Sequence, residues 1–209
     1  MKPAQEALER LRQGNGRFVA NLGSHEALLS GSRRLELTQQ QEPFAIVLGC
    51  SDSRVPAELV FDQGLGDLFV IRVAGNIVAP SQVGSVEFAA SRFGTRLVVV
   101  LGHSQCGAVR ATLEELQRPL DNRSRNLRSI VDRIRPSAEG LLKAGGEHDF
   151  AALLRKVTRA NINASVDHLR HGSEILEQLI RDDNLLVIGA EYSVETGVVE
   201  FFEEDEVSR

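Results

Sequence analysis

Cysteine occurs only twice in this 209-residue chain, and each copy stands in a short polar cluster that closes an apolar run. The first cluster, Cys50-Ser51-Asp52-Ser53-Arg54, sets a thiol, a carboxylate and a guanidinium close together behind the run at 44–48. The second, Gly102-His103-Ser104-Gln105-Cys106, follows the run at 97–101. Zinc favours thiolate and imidazole ligands in tetrahedral geometry, and Cys50, His103 and Cys106 make a Cys2His set. The two-residue gap in His103-x-x-Cys106 lets two ligands from one turn face the same ion. Three protein ligands leave one position open, as catalytic rather than structural zinc sites do.

Metal-bound water has its pKa lowered towards neutrality, which makes zinc-bound hydroxide a nucleophile near physiological pH. Two thiolates oppose that acidification, and a nearby hydrogen-bond acceptor with a cation offsets it. Asp52 and Arg54 are spaced for this, because residues 50, 52 and 54 of an extended segment project to one side. Arg54 can hold the Asp52 carboxylate through a bidentate pair. Asp52 would then accept a hydrogen bond from the hydroxide. Released from Arg54, it could take the fourth metal position itself and block the site. Each motif also has a plain reading: a buried cysteine acting as a small hydrophobe, or a surface ion pair.

These clusters need elements that bring them together. The apolar runs at 44–48, 68–73, 97–101 and 185–188 read as strands covered on both faces, hence a parallel sheet. A last strand at 198–202, after the turn at Thr196-Gly197, pairs antiparallel. Helices are expected at 3–20 (with a break at Gly14 and Gly16, poor helix formers), 55–60, 81–92, 107–117, 122–142, 150–168 and 173–181. The segment 22–42 reads as a polar linker with a short apolar piece at 27–29. The expected fold is α/β: a mostly parallel sheet of four strands plus a C-terminal antiparallel strand, flanked by helices, with an N-terminal helical arm over 1–42 and a single core over 43–209. Ligands of open parallel sheets bind beyond the carboxyl ends of the strands, where both cysteine motifs sit. Three strands end in an apolar residue followed by glycine: Leu48-Gly49, Leu101-Gly102 and Ile188-Gly189.

The net charge of −5, with 42% hydrophobic and 25% charged residues, fits a globular chain. It argues against a nucleic-acid backbone as partner. No run approaches the roughly 20 apolar residues of a membrane span. The N-terminal residues lack an apolar signal core, so a cytoplasmic location is expected, where cysteines serve as ligands or reactive thiols rather than bridges. The arginines at 123, 125, 128, 133 and 135 read as a solvated face or subunit contact, with an anion-binding face as the sharper alternative. His25, His148, His168 and His171 fall outside both motifs.

Taken with Phe69-Val70-Ile71-Arg72-Val73-Ala74-Gly75-Asn76, the two motifs and their spacing resemble the β-class carbonic anhydrases from about Gln41 to the last strand. The resemblance implies zinc-dependent, reversible hydration of carbon dioxide to bicarbonate and a proton. It assigns Cys50, His103 and Cys106 to zinc and Asp52 with Arg54 to a catalytic dyad, with Asp52 a metal ligand only in a closed, inactive state. Gln41, Phe69, Ala74, Phe88 and Gly107 match positions that line the substrate pocket. It also implies a homodimer or homotetramer in which the N-terminal helix embraces the neighbour and some pocket residues cross the interface. A bicarbonate-regulated subclass carries Trp three residues before the first cysteine. Val47 stands there and the chain has no Trp, although Tyr192 matches that subclass's tyrosine, so no bicarbonate-stabilised inactive state is expected. Ala74 replaces the Val of some plant-like members, and relatives of the fold hydrolyse carbon disulfide or carbonyl sulfide. A non-catalytic zinc module and a metal-free thiol redox pair are the readings from other classes.

Overall fold

The computed structural model describes residues 3–23, 31–118, 124–144 and 149–202. The apolar piece at 27–29, the turn at 145–146, Arg123, His25 and His148 lie outside them. Five strands form one sheet: β1 (Ala45–Gly49), β2 (Leu68–Arg72), β3 (Leu97–His103), β4 (Leu186–Tyr192) and β5 (Val199–Phe201), in the order β2-β1-β3-β4-β5. The first four run parallel and β5 pairs antiparallel with β4. Every residue of β1 and β3 is buried, the pattern of strands covered on both faces. From β1 the chain goes outward to β2 on one side and then crosses to β3 on the other. The strand order therefore reverses between β1 and β3, the kind of crevice where open α/β sheets bind ligands. Cys50 follows β1 and His103 ends β3, so both motifs border that crevice.

The helices are α1 (Ala4–Val19), α2 (Gly31–Glu36), α3 (Ala57–Val60), α4 (Pro80–Arg92), α5 (Gly107–Gln117), α6 (Arg125–Ala144), α7 (Phe150–His171) and α8 (Glu174–Asp183). Alternate strand residues feed two cores. Val47, Val99, Leu101, Ile188 and Tyr192 pack with Ala7, Leu8 and Leu11 of α1 and with Phe61. Ile46, Leu48, Val98, Val100 and Val187 pack with Val86 of α4, Ile162, Val166 and Leu169 of α7, and Leu176 of α8. A third cluster surrounds Cys50 and Cys106 with Val109, Leu113, Ile134 and Val157.

The structure corrects several expected boundaries. No break interrupts α1 at Gly14 or Gly16. A Cβ at residue 14 would lie 1.8 Å from the Phe61 carbonyl oxygen, so Gly14 is where the helix closes on the loop after α3, and tertiary contact overrides propensity. Next to it, buried Asn15 donates to the Val60 and Gly197 carbonyls and accepts from the Val199 N–H. The polar linker contains α2. Helix α3 begins at Ala57, with Pro56 at its N-cap. Helix α6 runs through Pro136.

Strands β3 and β4 extend past the apolar runs, so Gly102 and Gly189 lie inside strands rather than after them. A Cβ at Gly102 would meet the Ile162 side chain at 2.4 Å, and one at Gly189 would meet Phe202 at 2.7 Å and Ile162 at 2.8 Å. These two glycines let α7 lie close to the sheet. At Gly49 an added Cβ makes only ordinary contacts, so the same account does not extend to it.

Candidate active site and metal centre

The Sγ atoms of Cys50 and Cys106 and a ring nitrogen of His103 lie within 4.8 Å of one another, and all three residues are buried. Among the described residues no other group of this kind occurs. Each ligand comes from a different local device. His103 is the last residue of β3, Cys106 is the N-cap of α5, and Cys50 follows β1.

Cys50 is framed by two neighbours that local spacing does not reveal. The Gly75 N–H donates to its Sγ at 3.3 Å, from a 3-10 turn in which Gly75 takes φ +71°. That turn is held in place by Asn161 of α7, whose Nδ2 donates to the Gly75 carbonyl. Arg72, at the end of β2, donates through Nε to the Cys50 carbonyl at 3.2 Å and through Nη2 to the Asp52 carbonyl at 2.7 Å.

The donor set fits a zinc ion. Nδ1 of His103 is 2.8 Å from the carbonyl oxygen of Ser104, an acceptor, so Nδ1 carries the proton and Nε2 presents a lone pair. That Nε2 is fully buried and has no hydrogen-bond partner, although a buried, unpaired polar atom costs about 1–3 kcal/mol. The cost is understandable if the atom is reserved for a metal. The thiol pair points the same way. A hydrogen bond from Cys106 pulls the Cys50 thiol down to about 4 against the opposing effect of burial, with help from the Gly75 N–H. Its partner Cys106 is pushed up, first by that shared hydrogen bond and then by burial. Of the two, Cys50 is therefore the one that more readily gives up its proton, and the thiolate is the form that binds a metal.

Asp52 and Arg54 form the bidentate pair expected of them, but across a turn rather than along an extended segment: the Val55 N–H donates to the Asp52 carbonyl. Arg54 Nε donates to Oδ1 at 2.9 Å, Nη2 to Oδ2 at 2.8 Å, and the Arg54 backbone N–H to Oδ1 at 3.0 Å. The Arg54 side chain holds the Asp52 carboxyl well below the usual carboxylate range. Oδ2 lies 3.8 Å from His103 Nε2. The carboxylate therefore borders the Cys50-His103-Cys106 cluster while its bonds go to Arg54.

The five pocket positions divide into two groups. Ala74 opens the turn that touches Cys50, and Gly107, directly after Cys106, has nothing within 4 Å of where a Cβ would stand. Gln41 precedes β1 at the opposite end of the sheet from Cys50. Phe69 pairs with Ile46 near the start of β1 and packs with Phe88 and Phe93, ring centroids 6.0–6.2 Å away. Within one chain, Gln41, Phe69 and Phe88 do not reach the cysteines. Sequence reasoning also missed Glu195, which hydrogen-bonds Ser104 and Gln105 between the two ligands of the second motif. Its partners are about ninety residues away, and no local pattern marks it. His168 and His171 lie on α7, and His171 pairs with Asp167 at the surface.

A family model described as carbonic anhydrase matches residues 45–199. A carbonic anhydrase of Mycolicibacterium smegmatis is 39% identical over 194 residues, covering 93% of this chain and 91% of its own. Carbonic anhydrase 2 of Mycobacterium tuberculosis is 36% identical over 193 residues, covering 91% and 89%. Among solved structures, the β-carbonic anhydrase CcaA superposes with a TM-score of 0.72 at 26% identity, over 95% of this chain and 88% of that one. One of two tetrameric β-carbonic anhydrases of the ascomycete Sordaria macrospora has the same fold, with a TM-score of 0.70 at 24% identity over 81% and 85% of the two chains. The family match over most of the length, and two relatives this similar across nearly the whole of both chains, place this protein in the β-class carbonic anhydrases.

Proposed function

We propose that this chain binds zinc through Cys50, His103 and Cys106 and catalyses the reversible hydration of carbon dioxide to bicarbonate and a proton. The observation that carries the proposal is the buried, unpartnered Nε2 of His103, beside two thiols and 3.8 Å from a carboxylate held on Arg54. Zinc bound there supplies a Lewis acid that brings the pKa of a coordinated water towards neutrality.

The chain's own residues do the rest. Asp52 stays ionised at neutral pH because Arg54 stabilises its charge, so it can only accept hydrogen bonds. Its Oδ2 accepts one from the water that adds to carbon dioxide, which orients a lone pair towards the carbon. Arg54 occupies both carboxylate oxygens and keeps Asp52 from turning onto the metal. Gly107 leaves open space beside Cys106, where a small linear substrate would fit. The proton released passes to buffer.

We further propose a homo-oligomer in which a second copy supplies Gln41, Phe69 and Phe88. Strand β2 has one open edge, and Phe88 is 54% exposed beside it. Phe88 packs with the part-buried Phe69 and Phe93, an aromatic cluster that a second copy would cover, and the Sordaria macrospora relative is tetrameric.

Elemental analysis paired with stopped-flow hydration tests the reading. One zinc per chain and rapid carbon dioxide hydration are expected, with both lost in Cys50→Ser. A protein that binds zinc stoichiometrically but does not hydrate carbon dioxide would leave a structural zinc module, or a hydrolase of a related small molecule, as the function. A protein purified without metal and with Cys50 bonded to Cys106 would make it a redox pair. Both cysteines are free in the structure.

A further inference from the structure

We infer that Glu195 is a positioning residue for the metal centre: it holds the two-residue link between His103 and Cys106 in the arrangement that brings both ligand atoms together with Cys50. This rests on the reading of Cys50, His103 and Cys106 as the zinc site. The residue sits in the turn between β4 and β5, and its carboxylate divides its two oxygens over the link. Oε2 accepts from Ser104 Oγ at 2.6 Å and from Ser193 Oγ at 3.1 Å, and Oε1 accepts from Gln105 Nε2 at 2.5 Å.

Two features of the link need such a partner. Gln105 adopts φ +56°, a left-handed conformation that a residue with a Cβ takes up only where its surroundings impose it. A glycine there would take it freely, and the chain uses Gln105 with its side chain tied down. Ser104 is the second feature. Its carbonyl is the acceptor for His103 Nδ1, so the orientation of the Ser104 peptide decides the tautomer and the rotation of the imidazole. Ser104 is fixed from three sides: its N–H donates to the Tyr192 carbonyl, its Oγ accepts from the Val194 N–H at 3.0 Å, and its hydroxyl proton goes to Glu195. The order of control is therefore Glu195 to Ser104 to the His103 ring to Nε2. Outer partners that orient a ligand in this way typically change metal affinity 10–100-fold when removed.

The link also borders the dyad, since the Gln105 carbonyl lies 3.5 Å from Arg54 Nη2. A carboxylate suits the position better than an amide. Both of its oxygens accept, whereas a glutamine would set its NH2 against either the Ser104 hydroxyl proton or the Gln105 NH2.

The test follows release of zinc from the loaded protein to a chromogenic chelator, with the absorption spectrum of the cobalt-substituted protein as a second readout. Glu195→Ala should speed zinc release at least tenfold and shift the cobalt bands, with Glu195→Gln in between. Ser104→Ala combined with Glu195→Ala should speed zinc release by less than the product of the two single effects, because both variants lose the Ser104–Glu195 bond. Glu200→Gln, on the neighbouring strand, should match the unaltered protein in both readouts. Release and spectra unchanged in a folded Glu195→Gln protein would overturn the inference, as would additive effects of Ser104→Ala and Glu195→Ala. If the unaltered protein holds no zinc, it is the zinc-site reading that fails, and that outcome is visible before any variant is made.

Discussion

Oδ2 of Asp52 stands 3.8 Å from Nε2 of His103 while Arg54 grips both oxygens of the same carboxylate. With zinc bound as proposed, a turn of Asp52 away from Arg54 would bring its carboxylate to the metal, and the Arg54 pair opposes that turn. Arg54→Ala should therefore add an oxygen ligand to the zinc, seen by X-ray absorption, and reduce hydration about 100-fold or more, the scale of losing a positioned proton-handling group. Unchanged coordination in that variant would mean Arg54 does not restrain Asp52.

The same pair sets a pH dependence. Arg54 lowers the Asp52 carboxyl below its unfolded value, so its stabilising contribution is complete above the unfolded pKa of about 3.9 and is lost as pH falls through the folded value. In zinc-free protein, the difference in urea stability between the unaltered chain and Arg54→Ala should be constant from neutral pH down to about 5 and shrink below about 4. A difference that widened on acidification would contradict the sign.

Gly14 and Gly16 separate propensity from packing. Gly14→Ala places a methyl group against the Phe61 carbonyl and should cost about 1–3 kcal/mol by overpacking. Gly16→Ala meets nothing within 4 Å and should stabilise α1 by roughly 0.5–1 kcal/mol. Urea unfolding of the two variants measures both, and equal effects would refute the close-contact account of Gly14.

If a second copy supplies Gln41, Phe69 and Phe88, then Phe88→Asp should yield a smaller species by light scattering that keeps zinc and loses most activity. A monomer with full turnover would place the pocket within one chain.

Much of the architecture is legible in residue types. The β-branched runs ending at Leu48 and Leu101 specify buried parallel strands, and the two cysteines mark the ends that meet. The strand order, and with it the crevice between β1 and β3, comes from pairings that no local pattern encodes. The ends of β3 and β4 were also hidden. Their final residues, His103 and Tyr192, are followed by polar groups, and the ladder continues because the neighbouring strand supplies partners. Gly14 misleads because its role is a contact with Phe61, remote in sequence. The site divides in the same way. Asp52 and Arg54 are two residues apart and readable, whereas Arg72 and Gly75 act through bonds that involve backbone groups, and Glu195 acts through its carboxylate on Ser104 and Gln105, contacts that only the folded chain brings near.

The most direct test of the central claim is the pH profile of carbon dioxide hydration by the zinc-loaded protein, measured beside Asp52→Asn with equal zinc content. The account predicts activity that rises with pH in the unaltered protein and falls about 100-fold or more in Asp52→Asn, whose zinc is retained. Full hydration by Asp52→Asn, or none by the unaltered, zinc-replete protein at any pH, would contradict it.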